Sequence, residues 1–286
     1  MERLHLRGIS LLATAVRHCP ATPLSAPCLV LSDVQKNELR KFAEHLADLA
    51  GEVVRMHYAQ PTLAVEIKAD GSPVTVADKE AERVMRAAIH TQYPNHGIVG
   101  EEYGAERDDA EFCWVLDPVD GTKSFIARVP LFTTLVGLRY QGQPAIGVID
   151  QPILRERAVG DGLTATFNGR PAKVAAVSLK SARLLTTDVE NIARAQPKAR
   201  WADLARQCDF SRTWGDGYGH MMVVAGRAHI MADPIMNPWD LIPVLPVLRG
   251  AGATVTAWDG GDPVAAGNAV AAAPELHAEA LRILRG

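Results

Sequence analysis

The chain has 286 residues, of which 48% are hydrophobic and 22% charged, with a formal net charge of −3 and a pI near 6.3. That profile fits a globular protein with length for one large domain or two smaller ones; without a basic excess it argues against a nucleic-acid partner, and no apolar run has the length of a membrane span. The four cysteines (Cys19, Cys28, Cys113 and Cys208) form no CxxC pair, which argues against a zinc site and favours a reduced, cytoplasmic setting.

Residues 1–31 carry Arg3, Arg7 and Arg17 against one acid, Glu2, and then Pro20, Pro23 and Pro27. They read as an extension outside the fold, either an upstream start or a disordered tail, with an organelle transit peptide as the alternative. Ser32-Asp33 opens a helix, with Gln35 placed for a capping box. Leu39, Phe42, Ala43, Leu46, Leu49, Ala50, Val53 and Val54 keep helical spacing, and Pro61 ends the element. A short strand over 63–67 leads into the polar, turn-rich run Lys68 to Thr75. Thr75 or Ala77-Asp78 starts a second helix, with Ala81, Val84, Met85, Ala88 and Ile89 on one face and Pro94 as its stop. A strand over 96–100 then terminates in the acidic pair Glu101-Glu102.

The next stretch, Trp114 to Phe125, carries the most chemistry. An apolar run from Phe112 to Leu116 predicts a buried strand that breaks at Asp117-Pro118, turns at Asp120-Gly121 and enters a helix at Thr122. Asp-Pro-x-Asp-Gly is also common turn vocabulary. Two carboxylates at a strand end suit a hard divalent cation. The free N–H groups of Gly121, Thr122 and Lys123 at a helix start suit a phosphate. Together they suggest metal-assisted phosphate chemistry.

Strands over 131–140 and 144–151 form a meander, followed by strands over 156–160 and 164–167 with Asn168-Gly169 as a hairpin turn. Another strand covers 182–187. Beyond it, helical segments near 190–207 and 216–226 alternate with strands over 229–232, 252–257 and 268–273, an α/β pattern. The expected architecture is a layered sandwich of alternating helices and sheets over 32–286. Its front part (about 32–180) has an antiparallel sheet, and its back part (about 181–286) is α/β.

Asp78, Glu101, Asp117 with Asp120, and Asp240 sit at strand ends or helix starts. For Asp78 and Asp240 a plain helix cap explains the position equally well. If Glu101, Asp117, Asp120 and Asp240 converge, like charges at ~4 Å repel by a few kcal/mol even at an effective dielectric of ~20, so convergence implies bound Mg²⁺ or shifted pKa values.

Three motifs in this order (Gly100-Glu101-Glu102, Asp117-Pro-Val-Asp-Gly-Thr122, and Trp239-Asp240 ahead of Gly250-Ala-Gly-Ala253) resemble those of the inositol monophosphatase-like family of Mg²⁺-dependent, lithium-sensitive phosphatases. The resemblance spans about 32–286. It implies an α-β-α-β-α sandwich, two or three magnesium ions, a small phosphorylated metabolite as substrate, and a homodimer. Residue by residue, it implies that Glu101, Asp117, the Val119 carbonyl, Asp120 and Asp240 hold the metals. Asp78 and Thr122, with Glu101, would serve the metal-activated water attack, and Gly121 and Thr122 would bind phosphate through backbone N–H groups.

Within the family, Lys68 to Thr75, Asp120 to Phe125, Gly147 to Pro152, Gly215-Asp-Gly-Tyr218, and Pro243 with Pro246 are most similar to the histidinol-phosphate phosphatase branch. Trp239 is more like the inositol branch. Histidinol phosphate carries an ammonium, which calls for an anion in the pocket. Asp216 and Asp233 are the candidates, although Asp216 reads equally well as a helix cap. The alternatives are an inositol-1-phosphate, sugar or nucleotide phosphatase of the same family, and a non-catalytic scaffold with the same fold. His90, His220 and His229 read as structural, and Trp201 and Trp214 as core or interface. Lys123 faces phosphate or solvent, and Arg155 and Arg157 form a charge-paired strand edge.

Overall fold

The computed structural model describes residues 31–69 and 71–286, so nearly all of the extension expected over 1–31 lies outside the described residues. Helix α1 (Asp33–Tyr58) is followed by a small antiparallel hairpin of β1 (Val65–Ile67) and β2 (Pro73–Thr75), and by α2 (Val76–Gln92). Next come β3 (Gly97–Gly100), β4 (Gly104–Glu106), β5 (Phe112–Asp120), α3 (Thr122–Ile126), β6 (Thr133–Tyr140), β7 (Gln143–Gln151), β8 (Glu156–Gly160), β9 (Ala165–Phe167) and β10 (Arg170–Pro171). The back part holds β11 (Arg183–Leu185), α4 (Val189–Ala195), α5 (Trp201–Gln207), β12 (Phe210–Arg212), α6 (Asp216–Val224), β13 (Ile230–Asp233), α7 (Pro238–Gly250), β14 (Thr254–Thr256), α8 (Pro263–Ala266), β15 (Ala269–Ala272) and α9 (Pro274–Arg285).

The larger sheet runs β10-β9-β8-β7-β6-β5-β3-β4 and is antiparallel except for the β3–β5 pair. The smaller sheet runs β12-β11-β13-β15-β14, with β11, β12 and β13 mutually parallel. Helices α1 and α2 cover one face of the larger sheet, and α6 and α7 lie between the sheets. Helices α5 and α9 pack together, with α9 against the smaller sheet, so the five expected layers are present. Among the described residues, no helix is long and apolar enough to cross a membrane.

Burial explains most of the elements. β5 is buried continuously from Cys113 to Val119 because helices cover both of its faces, which is why its sequence is an apolar run and not an alternation. It does not break at Pro118, contrary to the sequence expectation. The strand continues to Asp120 through a register shift between Asp117 and Asp120, a bulge that accommodates the proline. Thr134 Oγ donates to the freed Pro118 carbonyl at 2.8 Å. The helical segment expected near 190–207 is two helices, interrupted where Pro197 disfavours helical geometry at Gln196. β4 and β12 have no fully buried position, and so no apolar signal in the sequence.

Helix α7 keeps Pro243 and Pro246 in its interior and is buried from Leu241 to Leu248. Three glycines let it settle on the large sheet. A Cβ on Gly147 would lie 1.8 Å from the Pro243 carbonyl oxygen, and one on Gly160 would lie 2.5 Å from Val247 Cα. A Cβ on Gly137 would likewise lie 3.0 Å from the Pro243 backbone nitrogen. The Pro246 carbonyl accepts from the Gly162 N–H at 3.0 Å, a further tie between α7 and the loop after β8. Gly147→Ala is therefore expected to cost about 1–3 kcal/mol by overpacking, seen as a lower midpoint in thermal melts. An unchanged midpoint would show that the helix has room to move.

Candidate functional site

The end of β5 and the first turn of α7 bring acids from distant parts of the chain together. Asp117 is 2% exposed and accepts from the Val119 N–H at 3.1 Å. Asp120 accepts from the Gly217 N–H and, at 3.3 Å, from Thr133 Oγ. Asp240 accepts from the Asn237 N–H at 2.6 Å, the helix cap foreseen in the sequence. Yet each of these three side chains offers an oxygen within 4.8 Å of the others. Capping and clustering coexist, because the cap turns the carboxylate back over the end of β5.

Burial, and then the negative charge of Glu101, Asp120 and Asp240 for Asp117 and of Asp216 and Asp240 for Asp120, pushes both well above the ordinary carboxylate range. Asp240 rises to about 7, chiefly by burial, with Asn237 opposing and Glu101 adding to the shift. Such a group of hard oxygens either holds protons or holds a cation. An oxygen-only donor set of this kind fits Mg²⁺.

Glu101 follows β3, its N–H donating to the Leu116 carbonyl at 3.2 Å. Its carboxylate is an electrostatic neighbour of Asp117, Asp240 and Asp78 but stands outside the tight trio. Lys68 Nζ donates to Glu101 at 2.8 Å and to Glu102 at 2.7 Å. Burial alone lowers the Lys68 pKa, and the two glutamates more than reverse that. Glu102 is pushed up to about 7, mainly by burial. In the sequence Lys68 stands out only through the turn-rich, branch-like stretch it opens, without a role of its own.

Thr122 Oγ lies 3.1 Å from the Val119 carbonyl and 3.4 Å from Asp78 Oδ1. Thr75 caps α2 and donates to Asp78 from its backbone N–H at 2.9 Å, and its hydroxyl donates to the same carboxylate. Gly121 adopts φ +91°, and a Cβ there would meet Asp216 Oδ2 and the Leu131 carbonyl at 3.0 Å. Only glycine suits this turn.

Asp216 begins α6 at φ +52°, and Asp233 ends β13. Thr187 links them: its hydroxyl donates to Asp233 at 2.6 Å and accepts from the Asp216 N–H at 2.8 Å. Burial raises Asp233 to about 8, against the Thr187 hydrogen bond; burial raises Asp216 to about 6, against Lys123 and Thr187. Asp120, Asp216, Asp233 and Asp240 line one cavity of about 30 Å³, with Ile235, Met236 and Val244. Thr187 was not foreseen; nothing in Thr186-Thr187-Asp188 sets it apart as sequence.

The other tempting residues lie elsewhere. His229 accepts from the Arg183 N–H, and His90 pairs with Glu106 near the surface. His220 is fully buried, and neither ring nitrogen has a partner among the described residues. Arg157 bridges Asp150 and Asp48 at 2.7 Å, charge-paired as expected, but β8 pairs with both β7 and β9 and is not the edge strand expected. Trp201 packs near Trp258, and Trp214 meets Phe210 edge-on.

The family model for the inositol monophosphatase family matches residues 35–285. The chain belongs to the inositol monophosphatase family. A histidinol-phosphatase of Chlorobaculum parvum is 36% identical over 214 residues, covering 74% of this chain and 83% of that protein. The chloroplastic bifunctional phosphatase IMPL2 of Arabidopsis thaliana is 35% identical over 233 residues, covering 80% and 67%. The solved inositol monophosphatase of Zymomonas mobilis superposes with a TM-score of 0.78 at 32% identity, covering 88% of this chain and 99% of that one. Members of the inositol monophosphatase family are phosphoric monoester hydrolases that act on small phosphorylated substrates and are generally Mg²⁺-dependent, and this chain is such a phosphatase.

The raised acids give this phosphatase a signed pH dependence. Glu102, Asp240 and Asp233 hold protons to about 7, 7 and 8 when folded, whereas the unfolded chain releases them near 4, so the metal-free protein loses stability as pH rises through that range. His220, lowered to about 4 by burial, acts in the opposite sense, but only below its unfolded value of 6.5. Above that value the acids act alone. In chelator, the thermal midpoint is expected to fall between about pH 6.5 and 8.5, and the increment from added Mg²⁺ to grow. A flat midpoint with a pH-independent increment would contradict the assignment.

Proposed function

We propose that this phosphatase hydrolyses L-histidinol phosphate to L-histidinol and phosphate, a step of histidine biosynthesis. The observation that carries the reading is the pair Asp216 and Asp233, whose carboxylates lie on the wall of the cavity that also contains Asp120 and Asp240, with the Thr187 hydroxyl between the Asp233 carboxylate and the Asp216 backbone N–H. An inositol phosphate offers only neutral hydroxyls to such a pair. A substrate ammonium would relieve their desolvation and form charge-assisted hydrogen bonds. The resemblance to histidinol-phosphatases points the same way.

In this reading Glu101, Asp117, the Val119 carbonyl, Asp120 and Asp240 hold two or three magnesium ions. When bound, these supply Lewis acidity to the phosphoryl group and lower the pKa of water. The Thr122 hydroxyl, with Asp78 as its acceptor, orients the attacking water, and the backbone N–H groups of Gly121 and Thr122 hold the phosphate. Thr75 keeps the Asp78 carboxylate aimed at Thr122. Lys68 bonds only Oε1 of Glu101, which leaves the second oxygen for a metal. Inhibition by Li⁺, a homodimeric state and a cytoplasmic location complete the proposal, resting on family resemblance and composition.

With Mg²⁺ present, kcat/KM for histidinol phosphate is expected to exceed that for inositol-1-phosphate. The reverse order would favour the inositol branch, and no phosphate release from either would favour a scaffold. Asp117→Asn should abolish release. Asp216→Asn should raise KM for histidinol phosphate about tenfold, the weight of a hydrogen bond to a charged group, while sparing a small uncharged ester. Equal losses on both substrates would remove the amine-reading role.

A further inference from the structure

Glu82 lies on α2 one turn beyond Asp78 and is 0% exposed. A carboxylate sealed from water is costly unless its oxygens are well occupied. Here they are: Arg86 Nε donates at 2.7 Å, and the backbone N–H groups of Glu102 and Tyr103 donate at 2.8 and 3.2 Å. Arg86, 6% exposed, reaches on to Glu106 Oε1 at 2.6 Å and to the Gly104 carbonyl. The last residue of β3 makes room for this, since a Cβ on Gly100 would fall 1.9 Å from Glu82 Oε1. One carboxylate and one guanidinium thus clasp the backbone from Gly100 to Glu106, and Glu101 sits inside that segment.

A buried ion pair of this kind is weak evidence for stability, because well-packed apolar residues often do as well. What apolar residues cannot do is accept two consecutive backbone N–H groups at a turn. We propose that Glu82 is a positioning residue: by accepting from Glu102 and Tyr103 it fixes the turn that presents Glu101 toward Asp117 and Asp240, and so sets the affinity for the divalent cation. The inference rests on the reading of Glu101 as a metal ligand. Helix α2 then serves the site twice, through Asp78 to Thr122 and through Glu82 to the acidic turn.

The test is Mn²⁺ binding to the full chain without substrate, followed by electron paramagnetic resonance, with Mg²⁺ activation and amide hydrogen exchange alongside. Glu82→Gln is expected to weaken Mn²⁺ binding and raise the Mg²⁺ for half-maximal activity by about tenfold or more, as lost outer contacts of a metal site do. It should leave kcat at saturating Mg²⁺ within about threefold by the same logic, and it should speed exchange at the Glu102 and Tyr103 amides. Arg86→Lys, which keeps the charge but not the planar fork, should weaken binding in the same direction to a smaller degree. A merely structural role would lower the melting temperature and leave the Mn²⁺ affinity of folded protein unchanged. Folded Glu82→Gln with wild-type affinity overturns the proposal, as does unchanged affinity in Arg86→Lys if Glu82→Gln does not fold. Glu101→Gln separates the two readings. If it weakens binding where Glu82→Gln does not, only the positioning role fails; if it leaves binding unchanged, the ligand role fails and the positioning role with it.

Discussion

Mutual repulsion among carboxylates held in a nearly dry cleft is the constraint around which this protein is arranged. Asp117, Asp120 and Asp240 come within 4.8 Å of one another, where like charges cost a few kcal/mol per pair even at an effective dielectric of ~20. Folding alone gains nothing from such a cluster. It is maintained by features that fix the backbone on every side: the β5 bulge at Pro118, the Asn237 cap on Asp240, and the Gly217 N–H on Asp120. The glycine seat for α7 belongs to the same set, since the depth at which α7 packs decides where Asp240 lies.

The surrounding charge is divided in a way that suits a cationic cofactor and a cationic substrate. Lys68 offsets Glu101 and Glu102 on one side, and Lys123 acts on Asp216 on the other. Neither serves the central trio, and Asp233 has a hydroxyl, Thr187, in place of a counter-ion. The unmet demand for positive charge therefore falls on two adjacent places. One is rich in hard oxygen donors, and the other is a pair of acids suited to an amine. The small cavity they share, about 30 Å³, has room for a water or an ion between them.

Much of this was legible in the sequence, where side-chain pattern and backbone geometry agree. The apolar run of β5, the Thr75–Asp78 start of α2, the Asp120-Gly121 turn and the Pro238–Asp240 helix start all announce themselves locally, and they carry most of the metal-binding candidates. What stayed hidden depends on tertiary contacts. Asp-Pro reads as a break because only the neighbouring strand shows that a bulge absorbs it. In the sequence the inward face of α2 is marked by apolar residues such as Ala81, Val84 and Met85, whereas the stripe that is buried also includes Asp78, Glu82 and Arg86. Charged residues at helical spacing look like a solvated face until their partners, here the Glu102 and Tyr103 amides, are seen. Thr187 and Lys68 gain meaning only from carboxylates contributed by other elements, and β4 and β12 are short edge strands without a buried position to mark them.

The most direct test of the central claim is anomalous diffraction from crystals soaked in Mn²⁺. Strong peaks within about 2.2 Å of oxygens of Asp117, Asp120 and Asp240, lost on chelation, are expected, since hard cations of this size bind carboxylates at about that distance. Crystals that diffract well and show no peak at this cluster, or peaks only elsewhere, would contradict the account.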